Sequence, residues 1–170
     1  IKEEFQIMYN YDLIDHIDTR IKEPKSIIKK MEKKKYDKTY LNLIEKINDV
    51  AGMRIVCTLK DDIFFIRDLI KQMPDIHILK EKDYVTNPKP SGYSSYHMVV
   101  EVPVRLTQKT IYVKCEIQIR TLAMDFWASF EHKVKYKTEH NVSKKTSKEL
   151  VSCAKMISKF DDKMISLKNI

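Results

Sequence analysis

The spacing of apolar side chains predicts several helices. Residues 1–17 carry apolar groups at intervals of three and four, which predicts a first helix. A second is predicted from Pro24, because proline suits the first turn of a helix, and a third after Asp37, which could cap it. The same helical spacing recurs in three longer segments, 62–72, 122–136 and 147–168.

Other segments are rich in β-branched and apolar residues and predict strands. They are 53–59, 77–84, 96–104 and 110–119, and a turn around 106–109 separates the last two. Within the last of them, apolar and polar residues alternate, so Glu116, Gln118 and Arg120 share one face of the predicted sheet. This mixture of elements predicts an α+β domain with a mixed, largely antiparallel sheet flanked by helices.

Composition fits a single ordered domain over residues 1–170. Hydrophobic residues make up 43% of the chain and charged residues 33%, and this length is sufficient for one substantial core. No apolar run approaches the roughly 20 residues of a membrane span, so no membrane partner is expected. The three cysteines form no Cys/His cluster, which argues against zinc and favours free thiols in a reducing cytoplasm. Cys57 and Cys115 lie in apolar strand segments and are expected to be buried.

The net charge of +8 has two explanations that composition alone does not separate. Lysine-rich segments such as 29–38 and 144–148 are compatible with an ordinary solvated surface. They are equally compatible with attraction of polyanions, either nucleotides or single-stranded RNA.

Two carboxylates adjoin the predicted strands. Asp49 comes just before segment 53–59, and Glu116 lies within segment 110–119, on the face that it shares with Gln118. That face is either a solvated sheet surface or the floor of a cleft. If the two strands are neighbours, the carboxylates could hold one Mg²⁺, which keeps several waters and bridges phosphates.

A polar loop between these carboxylates carries aromatic and basic groups. Tyr93 follows Gly92 in this loop and is better placed to stack on a purine than to pack in a core. His97 could bind a phosphate or serve as a structural histidine, and the sequence leaves both open. Neither the GxGxxG nor the GxxxxGK[ST] pattern occurs, so Rossmann and P-loop sites are not expected.

Four segments occur together in a characteristic order. They are RIKEPKSIIKK from residue 20, DVAGMRIVC from 49, KDYVTNPKPSGYSSYHMVVEV from 82 and EIQIRTLAMDFWASFEH from 116. Over about 20–136 the chain therefore resembles the small alarmone synthetases, stand-alone synthetase domains of the RelA/SpoT-homologue family. The resemblance implies a nucleotidyltransferase-like synthetase fold with long terminal helices. It also implies an enzyme of the stringent response, which transfers the β,γ-pyrophosphate of ATP to the 3′-hydroxyl of GDP or GTP and releases AMP.

The resemblance also implies a role for each motif residue. The catalytic residues, which would also bind Mg²⁺, are Asp49 and Glu116, with Glu116 helping to deprotonate the 3′-hydroxyl. The ATP-binding residues would be Arg20, Lys22, Ser26, Lys30 and Arg54, the two arginines enclosing adenine. The GDP- or GTP-binding residues would be Lys82, Lys89, Tyr93, His97 and Gln118, with Tyr93 stacked on guanine.

The family resemblance also implies how the protein assembles and how it is regulated. It implies a homotetramer formed through helices at 1–17 and 147–168. The residues before Arg20 and the acid at Asp125 depart from the pattern associated with activation by pppGpp. No His-Asp hydrolase motif is present, so alarmone hydrolysis is not predicted. Two alternatives stay open: a non-catalytic nucleotide- or RNA-binding module, and a toxin-type enzyme that transfers pyrophosphate to the 3′ end of tRNA.

Overall fold

Five strands and five helices make up the computed structural model, which describes residues 12–138 and 141–168. The strands are β1 (Ile14–Ile21), β2 (Ala51–Cys57), β3 (His77–Asp83), β4 (Tyr96–Arg105) and β5 (Thr110–Thr121). The helices are α1 (Pro24–Lys33), α2 (Tyr40–Lys46), α3 (Lys60–Gln72), α4 (Leu122–Lys137) and α5 (Lys144–Lys168).

The strands form one sheet in the order β1-β2-β5-β4-β3. Strands β2 and β5 are parallel, and the other neighbours are antiparallel. The prediction of an α+β fold with a mixed, largely antiparallel sheet is therefore confirmed. The central pair brings together the two predicted catalytic residues, because Asp49 comes just before β2 and Glu116 lies on β5.

The core lies on the apolar face of the sheet. Ile117 and Ile119 of β5 are buried there together with Met98 of β4, and helix α3 contributes Ile63 and Ile66. The other face of β5 carries the polar side chains that alternate with these, as the sequence predicts. Burial of one face leaves the opposite face of the sheet available for polar contacts.

The predicted helix over 1–17 is wrong where it can be assessed. Ile14–Ile21 form β1, an edge strand that pairs with β2, whereas residues 1–11 lie outside the described part of the chain. Ile14 and Ile17 have helical spacing, but only Ile14 is buried. Pairing with β2, which is distant in sequence, overrides the local periodicity here.

Two smaller expectations are also wrong. Helix α2 is capped by Thr39 rather than Asp37, since Thr39 Oγ1 accepts a hydrogen bond from the Asn42 amide at 3.2 Å. Cys57 is buried as expected, but Cys115 is partly exposed.

Candidate active site

One row of polar side chains crosses all five strands of the sheet. In strand order its members are Asp18, Arg54, Gln118, His97 and Lys82, each paired in register with the next. Side chains alternate between the two faces of a strand, so residues paired in this way share a face. The row brings residues predicted for ATP binding, on β2, next to residues predicted for the acceptor nucleotide, on β5, β4 and β3.

A neighbouring row opens a small cavity at Gly52. Arg20, Gly52 and Glu116 are register partners on β1, β2 and β5. Because the middle residue, Gly52, has no side chain, Arg20 and Glu116 border a cavity of about 140 Å³. Arg54 also lines this cavity. A Cβ at Gly52 would lie 3.5 Å from Arg20 Cγ, an ordinary contact. A methyl group would therefore fit at Gly52, and its absence leaves the cavity open between Arg20 and Glu116.

Two lysines hold Asp49 just before β2. Lys22 Nζ donates to Asp49 Oδ2 at 2.5 Å, and Lys30 Nζ forms an ion pair with Oδ1 at 2.7 Å. Burial raises the pKa of the Asp49 carboxyl, but the two ammonium groups outweigh burial and hold that pKa below its usual value. The carboxylate is therefore ionised at neutral pH. Ser26 is exposed on α1, one turn before Lys30.

Glu116 and four other side chains form a closed ring of hydrogen bonds. Its Oε1 lies 3.3 Å from His97 Nδ1, and its Oε2 accepts from Gln118 Nε2 at 3.2 Å. His97 Nε2 lies 2.8 Å from the Tyr93 hydroxyl. Arg120 Nη2 completes the ring by donating to the Tyr93 hydroxyl and to Gln118 Oε1, both at 2.7 Å. One tautomer satisfies every bond: His97 Nδ1–H donates to the carboxylate and Nε2 accepts from tyrosine.

The ring keeps Glu116 charged. The hydrogen bond from His97 is the largest influence and lowers the pKa of Glu116 below its usual value, against the effects of burial and of the nearby Asp49 charge. Both ring nitrogens of His97 are engaged in this arrangement. His97 therefore orients Glu116 and Tyr93, and it can reach a phosphate only by giving up one of these bonds.

Tyr93 lies at the acceptor end among cations and a second aromatic ring. Lys89 Nζ lies 4.6 Å from the Tyr93 ring centroid and 4.5 Å from that of Tyr84. The Arg120 guanidinium carbon lies 5.1 Å from the Tyr93 centroid. Lys82 is exposed on β3, with Nζ 5.9 Å from the Tyr84 centroid. This cluster combines a stacking surface with positive charge, the two properties that bind nucleotides.

The structure adds to the site three residues that the sequence analysis did not assign to it. Arg120 is buried and holds Tyr93, and Asp125 at the start of α4 lies 3.3 Å from Arg54 Nη1. Tyr84 shares Lys89 with Tyr93. Arg120 could have been identified from its place on the polar face of β5, since a buried arginine requires several partners.

A larger cavity joins the two ends of the site. It measures about 480 Å³ and is lined by Arg20 and Arg54 from the predicted ATP set, by Tyr93 and Gln118 from the acceptor set, and by α4. Residues that are distant in sequence thus face a common space beside Glu116.

The two carboxylates fit an oxygen-liganded cation. Asp49 Oδ1 is buried and, apart from its ion pair with Lys30, accepts no hydrogen bond, and the Asp49 charge is close enough to act on Glu116. Within 12–138 and 141–168, no group of three or more His, Cys, Asp or Glu side chains forms a metal site. Two carboxylates suit Mg²⁺, which takes its other ligands from waters and substrate phosphates.

Comparison with known proteins identifies the family. The family described as "Region found in RelA / SpoT proteins" matches residues 19–141, and the chain belongs to it. GTP pyrophosphokinase YwaC of Bacillus subtilis is 42% identical over 99% of this chain and 80% of its own length.

Solved structures agree with this assignment. Small alarmone synthetase 1 of B. subtilis, bound to its product pppGpp, superposes with a TM-score of 0.90 at 33% identity, over 99% of this chain and 86% of that one. The same protein bound to AMPCPP superposes with a TM-score of 0.82 at 30% identity, over 99% and 84% of the two chains. The prediction of a small alarmone synthetase fold is confirmed.

Proposed function

We propose that this chain catalyses the reaction for which its relatives are named. It is a GTP pyrophosphokinase: it transfers the β,γ-pyrophosphate of ATP to the 3′-hydroxyl of GDP or GTP and releases AMP, in stringent-response signalling. One observation carries the proposal at the level of residues: Arg20 and Arg54 of the predicted ATP set and Tyr93 and Gln118 of the predicted acceptor set line one cavity. Glu116 lines the smaller cavity that shares Arg20, Arg54 and Gln118 with it. Relatives that match nearly the whole chain bear the same activity name, which supports the enzyme class.

ATP binds at the β1, β2 and α1 end of the site in this proposal. Arg20 and Arg54 lie on adjacent strands and both line the large cavity, which suits two guanidinium planes that enclose adenine. Lys22, Lys30 and Ser26 lie beside Asp49 or on α1 and would hold the phosphates. The two lysines would then exchange part of their contact with Asp49 for phosphate oxygens.

The acceptor nucleotide binds at the β4 and β3 end. Tyr93 would stack on guanine while the ring of hydrogen bonds fixes its orientation. Lys89 and Lys82 would supply positive charge to the acceptor's phosphates, and Gln118 lies between this end and Glu116. His97 acts in the first place by holding Glu116 and Tyr93.

Mg²⁺ is the proposed cofactor, with Asp49 and Glu116 as its protein ligands. It would neutralise charge on the phosphoryl groups during transfer. The carboxylates suit this role because the pKa of each is lowered, so both are ionised at neutral pH.

Apart from charge neutralisation, the reaction requires that the two nucleotides be positioned for direct transfer. The 3′-oxygen attacks the β-phosphorus in line, the bond from that phosphorus to the oxygen bridging to the α-phosphate breaks, and AMP leaves with the electron pair. Glu116 accepts the proton of the 3′-hydroxyl. Such a reaction needs no protein nucleophile, because aligning the reactants supplies much of the rate enhancement.

The test is to offer three acceptors in parallel. The protein is mixed with Mg²⁺ and γ-labelled ATP, together with GDP, GTP or tRNA. We expect label in guanosine tetraphosphate or pentaphosphate and none on tRNA. Label on tRNA would instead support the toxin-type enzyme, and no transfer with intact nucleotide binding would support a non-catalytic module.

We also propose a homotetramer in the cytoplasm as the working form, built on a single synthetase domain. Apolar side chains on the outer helices support self-association: Phe126 and Phe130 on α4, and Met156 and Phe160 on α5, are at least half exposed. Among the described helices, none is both long and apolar enough to span a bilayer. The net charge of +8 would attract a polyanion such as single-stranded RNA, which we propose as a further ligand.

A further inference from the structure

Asp125 contacts both halves of the site through one oxygen atom. It lies in the first turn of α4, and its Oδ1 is 3.3 Å from Arg54 Nη1 and accepts a hydrogen bond from Arg120 Nη1 at 3.1 Å. Arg54 belongs to the proposed ATP end. Arg120 holds Tyr93 at the acceptor end through its other nitrogen, at 2.7 Å. The carboxylate therefore restrains a group at each end.

Burial strengthens the contact between Asp125 and Arg120. The side chain of Arg120 is 6% exposed and that of Asp125 is 18% exposed, so solvent screens their pairing little. Arg54 depends on few partners: its Nε is buried without a hydrogen bond, and the other acid near it within the described residues, Asp18, is farther away at 3.8 Å. Asp125 is thus the nearer of the two acids that orient the Arg54 guanidinium.

We propose that Asp125 is a positioning residue for both nucleotides. It sets the plane of Arg54 for the donor base and, through Arg120, the ring of Tyr93 for the acceptor base. The inference rests on the proposed function, which assigns the two ends. Removal of the charge would leave two guanidinium groups close together without the anion between them, and their repulsion would turn both away.

The test is Asp125→Asn, which preserves size and removes the charge. We expect the KM of ATP and the KM of GDP to rise by about 5- to 30-fold each, with a smaller change in kcat. The first rise follows from the lost ion pair with Arg54, and the second from the lost charge in the hydrogen bond with Arg120. Arg120→Lys should raise the KM of GDP alone, because Arg54 keeps its contact with Asp125 while the fork that holds Tyr93 and Gln118 is lost.

Asp68→Asn is the matched control. Asp68 is an exposed aspartate on α3, the helix that packs on the apolar face of the sheet, and it pairs with Arg67 at 2.8 Å. Its replacement removes the same charge and should leave both KM values within about twofold of the wild type, since an exposed pair of this kind contributes little.

The inference is overturned if Asp125→Asn raises only one KM or neither, or if Asp68→Asn has the same effect. Melting temperatures establish that each variant is folded. Should Asp125→Asn fail to fold, Asp125→Glu carries the test, because it keeps the charge and displaces it by one methylene. A wild-type protein that makes no tetraphosphate would refute the proposed function instead. Calorimetric titration with AMPCPP and with GDP would then be the readout, and Asp125→Asn must weaken both.

Discussion

Glu116 receives hydrogen bonds from both sides, from His97 and from Gln118, and each donor is itself held by the ring. This fixes the carboxylate between the two proposed nucleotide ends and keeps it ionised. In the proposed reaction, an orientation fixed in this way lets a residue in the middle of a sheet act on the acceptor hydroxyl.

Glu116→Gln removes the charge and the proton acceptor while keeping the size of the side chain. We expect kcat to fall by about 100-fold or more, because a positioned base contributes 10²–10⁴, while the melting temperature stays close to that of the wild type. Glu101→Gln on β4, opposite Lys114, is the control and should retain activity. A folded Glu116→Gln variant with nearly normal kcat would show that Glu116 is not the proton acceptor.

Tyr93→Ala removes the proposed stacking surface for guanine. Loss of base–aromatic stacking is worth about 1–3 kcal/mol, so the KM of GDP and GTP should rise while that of ATP changes little. Tyr112→Ala is the control, since Tyr112 is half exposed near the start of β5 and stacks on His77. Unchanged affinity for GDP in titration calorimetry would place the acceptor elsewhere.

At the scale of elements, helix α5 supports the loop that carries Tyr93. Gly92 has φ of +90°, and a Cβ there would lie 2.5 Å from the Cβ of Ala154 on α5. The backbone conformation and the close approach both require glycine. The C-terminal helix thus helps to set the position of the acceptor loop.

Gly92→Ala should shift this loop and raise the KM of GDP, with little change for ATP. The double variant Gly92→Ala with Ala154→Gly relieves the contact and should recover part of the acceptor affinity. The readout is KM rather than the melting temperature, because a glycine within α5 costs about 1 kcal/mol in itself. If the KM of GDP is unaltered in Gly92→Ala, the contact with α5 does not set the position of the acceptor loop.

Asp161 attaches α5 to the junction of β5 and α4. It is buried and accepts a hydrogen bond from Thr121 Oγ1 at 2.9 Å. Burial raises the pKa of its carboxyl, against the Thr121 hydrogen bond, which lowers it. The folded state therefore binds the proton more tightly than the unfolded chain, so this group lowers stability as pH rises from about 3.8 through its folded pKa.

Asp161→Asn should raise the melting temperature at pH 7.5, since the amide oxygen can still accept from Thr121 and no buried charge remains. The gain should shrink as pH is lowered towards 3.8. Asp162→Asn is the control: Asp162 is exposed and pairs with Lys60, so its loss should change stability by less than about 1 kcal/mol. A lower melting temperature for Asp161→Asn at pH 7.5 would contradict this account.

The spacing of apolar residues predicted most helices and strands, because in these segments the apolar positions are the ones that the fold buries. Segment 110–119 alternates, and Ile117 and Ile119 are buried as that alternation requires. The helical pattern failed at β1, where partners 30 or more residues away in sequence decide the conformation. The motifs also named most of the residues that the structure brings together at the candidate site, and their roles stay predictions. They did not reveal the links of Arg120 and Asp125, since these depend on how α4 is placed against β5.

At the scale of the whole molecule, the outer helices carry apolar side chains that the described chain does not cover. Met156 and Phe160 are one turn apart on α5 and more than half exposed. We expect the double variant Met156→Lys with Phe160→Glu to form smaller species than the tetramer predicted for the wild type. Light scattering after size-exclusion chromatography measures this, and a wild type that is monomeric at micromolar concentration would contradict the tetramer.

In the proposed reaction two nucleotides meet at Glu116, and the pyrophosphate passes from ATP to the acceptor as one unit. The stoichiometry of the products tests this: ATP and GDP are incubated with Mg²⁺, and chromatography follows all nucleotides over time. We expect AMP and guanosine tetraphosphate in equal amounts, with no accumulation of ADP. Formation of ADP in step with a guanosine triphosphate, or release of AMP without the tetraphosphate, would refute transfer of the pyrophosphate as one unit.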